Sequence, residues 1–342
     1  MTVRLPMVVT FSKADIARRC GWAMHNPCVE PAEGGSAQQM GSDAHAYVEQ
    51  SLSGVVMDES SEGAALGKGC VEEICERTDP YGRETIKVYS EMTTSWDAFE
   101  WKGQLVGEHL NRQYPEGQPK HILYGTGDLA YMEQDGTLVN IDLKSNTDGT
   151  EFAEDHSQLM LGTLSLASAL GAKKVRAELW GMRWYKRPWI ESATYTFPQM
   201  YALAQEIEDN VRNEQATAVP GQHCKWCPAN GQCPATERAL VGLADSPGKW
   251  SSDIVGAEHA SWMIERLPLV KKALENIEKE LKAYSDKVGG VELSDGKVYK
   301  SGTFNRSSFN ATAAKAKLEQ LGVDLGEFTH NIEVTQYRAR KP

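Results

Sequence analysis

Gly125-Thr-Gly-Asp128-Leu-Ala, followed by Val139-Asn-Ile-Asp142-Leu-Lys144-Ser, is the stretch of this 342-residue chain on which the fold turns. Both segments read as strands, over 122–132 and 137–145, and Asp135–Gly136 between them is a hairpin turn signal. In the second strand Val139, Ile141 and Leu143 alternate with Asn140, Asp142 and Lys144. The apolar set can bury on one face, which leaves Asp142 and Lys144 together on the other, about 7 Å apart along the strand. Asp128 lies just across the hairpin, so the two carboxylates can converge. Two hard oxygen ligands with carbonyls and waters suit Mg²⁺ or Mn²⁺. A lysine beside them can orient or deprotonate a bound water and offset charge on a phosphate. An Asp-x-Lys triplet is common by chance, and the polar face of an exposed strand is the plain alternative.

Around this hairpin the pattern alternates between helix and strand. Helices are expected over 12–23, with Ser12 as N-cap, over 37–52, 154–170 and 198–211, and strands over 86–91 and 173–185. That order predicts a mixed α/β layer fold with a central sheet. Beyond a linker at 246–250, a charged helix over 268–284 keeps a stripe of Val270, Ala273, Leu274, Ile277, Leu281 and Tyr284. A hairpin over 291–300 turns at Asp295–Gly296. The chain therefore divides into residues 1–245 and a smaller C-terminal α+β appendage, 246–342, open to DNA binding or oligomerisation.

Composition narrows the function classes. At 41% apolar and 24% charged the chain has the make-up of a folded globular protein, not a disordered one. No apolar run approaches the roughly 18 residues of a membrane span, and Pro6 interrupts the short apolar stretch near the start. The expectation is a cytoplasmic protein without membrane contact. A net charge of −11 argues against a broad basic surface that coats nucleic acid, though not against a confined groove. Residues 1–245 hold 21 bases and 34 acids, whereas 246–342 hold 15 and 13, so the acidity belongs to the first part.

Seven cysteines in a cytosolic chain point to metal or cluster ligation more than to disulfides. Cys224-Lys-Trp-Cys227 and Cys233 place three thiols in a short Pro- and Gly-rich loop. Cys20, at the end of the first helix, is the best fourth donor, with Cys28 next. Spacing does not distinguish Zn²⁺ from [4Fe–4S], since both accept four cysteines. Further candidates surround the hairpin: Glu91 closing a strand, His45 one helical turn after Gly41, and Gln158 opening the helix after the Asp-x-Lys strand. Gly63-Ala-Ala-Leu-Gly67-Lys68-Gly69 is one spacer short of a phosphate-binding loop and lacks its Ser/Thr. Any ATP-driven helicase or recombination partner would be a separate chain.

In chain order, Cys20, Gly41-x3-His45, Glu91, Gly125-x2-Asp128, Asp142-x-Lys144, Gln158, Cys224, Cys227 and Cys233 resemble the PD-(D/E)xK nuclease superfamily over about residues 8–236. The likeness is nearest to its RecB-like branch with an iron–sulfur staple, which includes CRISPR-associated RecB-like exonucleases, the AddB nuclease domain and phage exonucleases. The resemblance implies a restriction-endonuclease-like central mixed sheet flanked by helices. It implies that His45, Asp128, Asp142 and the Leu143 carbonyl bind Mg²⁺ or Mn²⁺, with Glu91 a further ligand. Lys144 would serve the attacking water, and Gln158 would contact phosphate or a ligand water. Cys20, Cys224, Cys227 and Cys233 would hold [4Fe–4S], with Zn²⁺ as the alternative.

The implied activity is a DNA exonuclease of phage or bacterial recombination and repair, in a bacterial cell or phage-infected host. A non-catalytic DNA-binding or assembly protein on the same fold is the second reading. Gly162 stands where the family usually has tyrosine, four residues after the glutamine. A DNA track is expected in Lys173, Lys174, Arg176, Arg183, Trp184, Lys186 and Arg187, where bases interleave with aromatics. The basic end 337–341 is a second DNA candidate, and self-association of copies is open.

Overall fold

In a computed structural model the described residues are 10–26, 36–55, 60–79, 86–108, 113–115, 121–145, 153–229, 232–245 and 253–301, with positions 58, 119, 314, 317 and 318. Cys28, the linker 246–250 and the basic end 337–341 lie outside them. Six strands form one sheet: β1 (Val88–Asp97), β2 (Lys102–Glu108), β3 (Ile122–Met132), β4 (Thr137–Lys144), β5 (Lys174–Arg183) and β6 (Lys186–Ala193), in the order β2-β1-β3-β4-β5-β6. All neighbours are antiparallel except β4 and β5. A parallel pair needs a crossover, and the helix Ser157–Leu170 supplies it. This is the expected mixed α/β sheet flanked by helices.

Counting in chain order, the helices are α1 (Ala14–Arg19), α2 (Gly21–His25), α3 (Ser36–Leu52), α4 (Glu62–Thr78), α5 (Ser157–Leu170), α6 (Phe197–Arg212), α7 (Pro234–Asp245) and α8 (Gly256–Val288). One apolar layer sets Val139, Ile141 and Leu143 of β4 against Ala44 and Val48 of α3 and Leu66 and Ile74 of α4. The opposite layer sets Met92, Trp96, Leu123 and Leu138 against α5 and α6. The polar face of β4 is therefore covered too. Asn140 is buried and donates to Thr163 Oγ1 of α5 at 2.9 Å.

Several elements differ from their sequence reading for identifiable reasons. The first helix breaks at Cys20, whose backbone is extended (φ −145°, ψ 91°), into α1 and α2. Ser12 sits inside a 3-10 turn, Phe11–Lys13, and caps nothing by its side chain. β1 runs on to Asp97 because its polar Thr93, Thr94 and Ser95 are buried between neighbours, with Thr93 and Thr126 hydroxyls 3.0 Å apart. β2 and β6 lie at the two sheet edges, where successive residues are exposed, Leu105, Val106 and Trp189 among them, and the two-residue period is lost.

α8 starts before Pro268 instead of at it. Proline leaves the Ile264 carbonyl without its helical donor, and Gln222 Nε2 donates to that oxygen at 3.0 Å. Leu269 of α8 shares one buried group with Ala218, Cys224, Cys233 and Ala235. Two compact units are distinguished, 1–300 and 301–342; of the second, only Ser301, Ala314, Lys317 and Leu318 are described. The hairpin of β7 (Val291–Glu292) and β8 (Val298–Tyr299) closes on Gly296 as expected. Among the described residues no helix is long and apolar enough to cross a membrane.

The glycines of the failed phosphate-loop motif have a packing role in α4. A Cβ on Gly67 would come 2.9 Å from the Ala44 carbonyl oxygen of α3, and one on Gly69 would overlap the Lys186 carbonyl of β6. Gly69→Ala is expected to destabilise by about 1–3 kcal/mol through overpacking. Gly242→Ala in α7, where a Cβ meets nothing within 4 Å, should be neutral or stabilising by up to about 1 kcal/mol. Urea unfolding of the two variants checks the contrast.

Candidate metal centre

Three carboxylates line up across three adjacent strands. Ser90 pairs with Leu129 and Met92 with Gly127, which sets Glu91 opposite Asp128. Leu129 pairs with Ile141, so the next step sets Asp128 opposite Asp142. The β3–β4 ladder ends at that step, and β4 departs from β3 beside the row. Glu91, Asp128 and Asp142 are 9%, 6% and 9% exposed. Buried anions at adjacent-strand spacing repel and must be paired, protonated or bound to a cation.

The surrounding groups answer this charge in part. Asp128 Oδ2 accepts the Leu143 backbone N–H at 2.7 Å, and its Oδ1 lies 3.2 Å from His45 Nδ1. His45 gets there because α3 runs close to the end of β4: a Cβ on Gly41 would come within 2.6 Å of Ser145 Oγ. Asp142 Oδ1 accepts from Gln158 Nε2 at 3.0 Å, and its Oδ2 lies 2.8 Å from Lys144 Nζ. Asp142 and Lys144, expected side by side, are thus an ion pair. Gln158 is placed by the first turn of α5, which His156 caps through Nδ1, accepting the Leu159 N–H.

Glu91 carries a local cost. Its φ is +46°, in the left-handed region that a non-glycine residue enters at roughly 1–2 kcal/mol. The carboxylate that faces Asp128 is therefore held by a backbone that resists it, a pattern found at functional sites. One ligand atom from each of His45, Glu91 and Asp128 falls within 4.8 Å of the others. Octahedral coordination at 2.0–2.1 Å needs such atoms about 3–4 Å apart, so a small closure suffices. Among the described residues no other three Cys, His, Asp or Glu side chains meet that test, the four cysteines included.

The cysteines nonetheless share one region. Cys20, Cys224, Cys227 and Cys233 are all buried. Cys20 and Cys227 form one small apolar group and Cys224 and Cys233 another, with Trp22 packed on both. Burial pushes the Cys224 thiol up to about 11 and the Cys227 thiol up to about 12, with neighbouring cysteines adding to both. Cys70 is buried in the α3/α4 layer and Cys75 is exposed, away from this region.

The expected DNA track is partly absorbed into the fold. Lys174 pairs with Asp135 at 3.0 Å, Arg176 with Glu133 and Glu178, and Arg187 with Glu73 and Glu76. Trp184 packs on the α3/α4 layer. Tyr185 and Trp189 are the exposed aromatics of this hairpin, beside exposed Arg183 and Lys186, while Lys173 is exposed at the opposite end of β5. Gly162 lines a cavity of about 20 Å³ with Asp142, Gln158 and Phe11, and a Cβ there would meet Phe11 and Asn140 only at 3.7 Å.

A model of the PD-(D/E)XK nuclease superfamily matches residues 19–234, well over half of the chain and from just before Cys20 to just after Cys233. The chain belongs to the PD-(D/E)XK nuclease superfamily. A search of curated proteins returned no match. A solved structure titled "Crystal structure of SSO0001" is 14% identical, with 68% of this chain and 89% of that one covered at a TM-score of 0.31, too distant to carry over any feature. Glu91, Asp128, Asp142 and Lys144 all lie within the matched residues. Sequence reasoning missed the Leu143 N–H donated to Asp128 and the left-handed Glu91, since backbone donors and dihedrals leave no side-chain signal.

The strain at Glu91 is separable from its charge. Glu91→Gly and Glu91→Ala both remove the carboxylate, but only glycine relaxes the left-handed backbone. Glu91→Gly is expected to be about 1 kcal/mol more stable than Glu91→Ala in urea unfolding. Equal stabilities would show that the backbone there is unstrained.

Proposed function

We propose that the chain is a metal-dependent DNA exonuclease that hydrolyses phosphodiester bonds at DNA ends. The observation that carries this is the meeting of His45, Glu91 and Asp128 at one point, with the Asp142–Lys144 ion pair on the neighbouring strand, in a family of nucleases. Buried carboxylates gathered with a histidine nitrogen are the donor set of a divalent-cation site. Glu91, Asp128, Asp142, His45 and the Leu143 carbonyl would hold Mg²⁺ or Mn²⁺. Bound there, the ion supplies Lewis-acid activation of water and charge for the phosphate. Lys144 Nζ, held 2.8 Å from Asp142 Oδ2, orients the attacking water and meets negative charge on the transferring phosphate. Gln158 fixes the other oxygen of Asp142 so that this carboxylate keeps one orientation.

DNA contact falls to the exposed side chains at the turn of the β5–β6 hairpin, Arg183, Lys186, Tyr185 and Trp189, with Lys173 as a more distant contact. Aromatic stacking contributes about 1–3 kcal/mol per base. Recombination or repair in a bacterial or phage setting, with a separate motor chain, is the context this chemistry suits.

Cys20, Cys224, Cys227 and Cys233 would hold [4Fe–4S]. A single zinc at 2.3 Å from each sulfur requires the sulfurs to close to about 3.8 Å. A four-iron cluster binds each sulfur to its own iron and accepts a wider arrangement. A cluster there would tie α1 to the segment that follows α6.

With Mg²⁺ or Mn²⁺, end-labelled linear DNA should be degraded while covalently closed circles persist. Asp142→Asn and Lys144→Ala should each lower the rate by at least a hundredfold, with folding unchanged by circular dichroism. Retained DNA binding without cleavage by the parent protein would favour the non-catalytic reading instead, and unchanged cleavage by both variants would overturn the site.

The cluster has its own test. Anaerobically purified protein should be brown, Cys20→Ser colourless, and Cys70→Ser as brown as the parent. Colourless parent protein with one equivalent of zinc would replace the cluster by a zinc site.

A further inference from the structure

Helix α8 has a second periodicity that the nuclease site does not use. Leu267, Leu274, Leu281 and Val288 recur every seven residues, and Val270, Ile277 and Tyr284 follow the first three by three. Apolar residues at this spacing are the a and d positions of a coiled coil. Leu267 is 40% exposed, but the next seam position is covered within the chain: Val270 is 5% exposed, beside buried Leu269 and Ala273. From Leu274 on it is open, at 52%, 48%, 56%, 58% and 48% exposure for Leu274, Ile277, Leu281, Tyr284 and Val288. That is an apolar stripe about 21 Å long at 1.5 Å per residue, the kind of surface that marks an interface.

The flanking charges indicate what covers it. Glu280 and Lys287 occupy successive g positions, and Glu278 and Ser285 the e positions. Ser285 is buried where its hydroxyl donates to the Tyr299 carbonyl at 2.6 Å, so the β7–β8 hairpin takes the e side there. Glu280 and Lys287 are exposed on the g side. A parallel pair of α8 helices would set Glu280 against Ser285 of the partner subunit, with no charge match. An antiparallel pair sets g against g. Leu281 then stacks on the partner subunit's Tyr284, Ile277 on the partner subunit's Val288, and Glu280 meets the partner subunit's Lys287, each contact repeated by the two-fold axis. Sliding by one heptad would instead oppose Glu280 with Glu280 of the partner subunit.

We propose that α8 pairs antiparallel with α8 of a second copy of this chain, in the register that joins Glu280 to Lys287 of the partner subunit. The interface is isologous and so closes at two copies. It is independent of the nuclease reading, because none of its residues belongs to the metal centre.

The test uses the full chain in light scattering coupled to size exclusion. The parent should have twice the chain mass at micromolar concentration, and Ile277→Asp with Leu281→Asp the single mass, with circular dichroism and thermal unfolding of the monomer retained. Lys287→Glu should weaken the dimer by about tenfold, and adding Glu280→Lys should restore it. A monomeric parent, which would leave the stripe to another segment or partner, overturns the proposal. So does a dimer indifferent to the double aspartate variant. Failure of the charge-swapped pair to recover would overturn the antiparallel register.

Discussion

Mutual repulsion among three carboxylates set in one row across β1, β3 and β4 is the constraint that the rest of the structure answers. Each is more than nine-tenths buried, so water cannot screen them as it would at the surface. The fold brings Lys144, His45, a backbone N–H from Leu143 and an amide from Gln158. It also departs from ladder regularity at the row: Glu91 takes a left-handed backbone and β4 leaves β3 after Ile141. A sheet optimised for stability alone would do neither.

The cysteine region is mechanically linked to this row. Cys20 ends α1, and Asn210 of α6 holds the Ala17 and Arg18 carbonyls at the end of that helix. Asp15 and Arg18 of α1 both bond Ser157, the residue before Gln158. Gln158 in turn holds Asp142. A group binding the four cysteines would therefore stiffen a path of short bonds that ends on the Asp142 carboxylate. Gln222, at the start of the same segment, repairs the helix defect made by Pro268 and so seats α8 on it.

The central hairpin was legible because its code is local: two-residue alternation and an Asp–Gly turn specify both strands, and the Asp-x-Lys triplet specifies their chemistry. His45 and Gln158 were legible as candidates by spacing alone. The edge strands β2 and β6 were not, since successive residues are exposed there and no alternation marks them as strands. Thr93, Thr94 and Ser95 misled in the opposite direction, being polar yet buried. Around β5 the sequence shows Arg176 and Arg187 without the glutamates from other elements that engage them. Glu91's backbone is a product of the whole sheet and has no sequence signature.

The account stands on one cation being held by this row with His45 as its nitrogen ligand. Electron paramagnetic resonance of Mn²⁺ titrated into the protein tests that directly, without depending on catalysis. The expected result is one tightly bound Mn²⁺ whose pulsed spectrum shows coupling to an imidazole nitrogen, lost in His45→Ala, with binding itself weakened at least tenfold in Asp128→Asn. Mn²⁺ bound equally by parent and Asp128→Asn, or bound without nitrogen coupling, would contradict it.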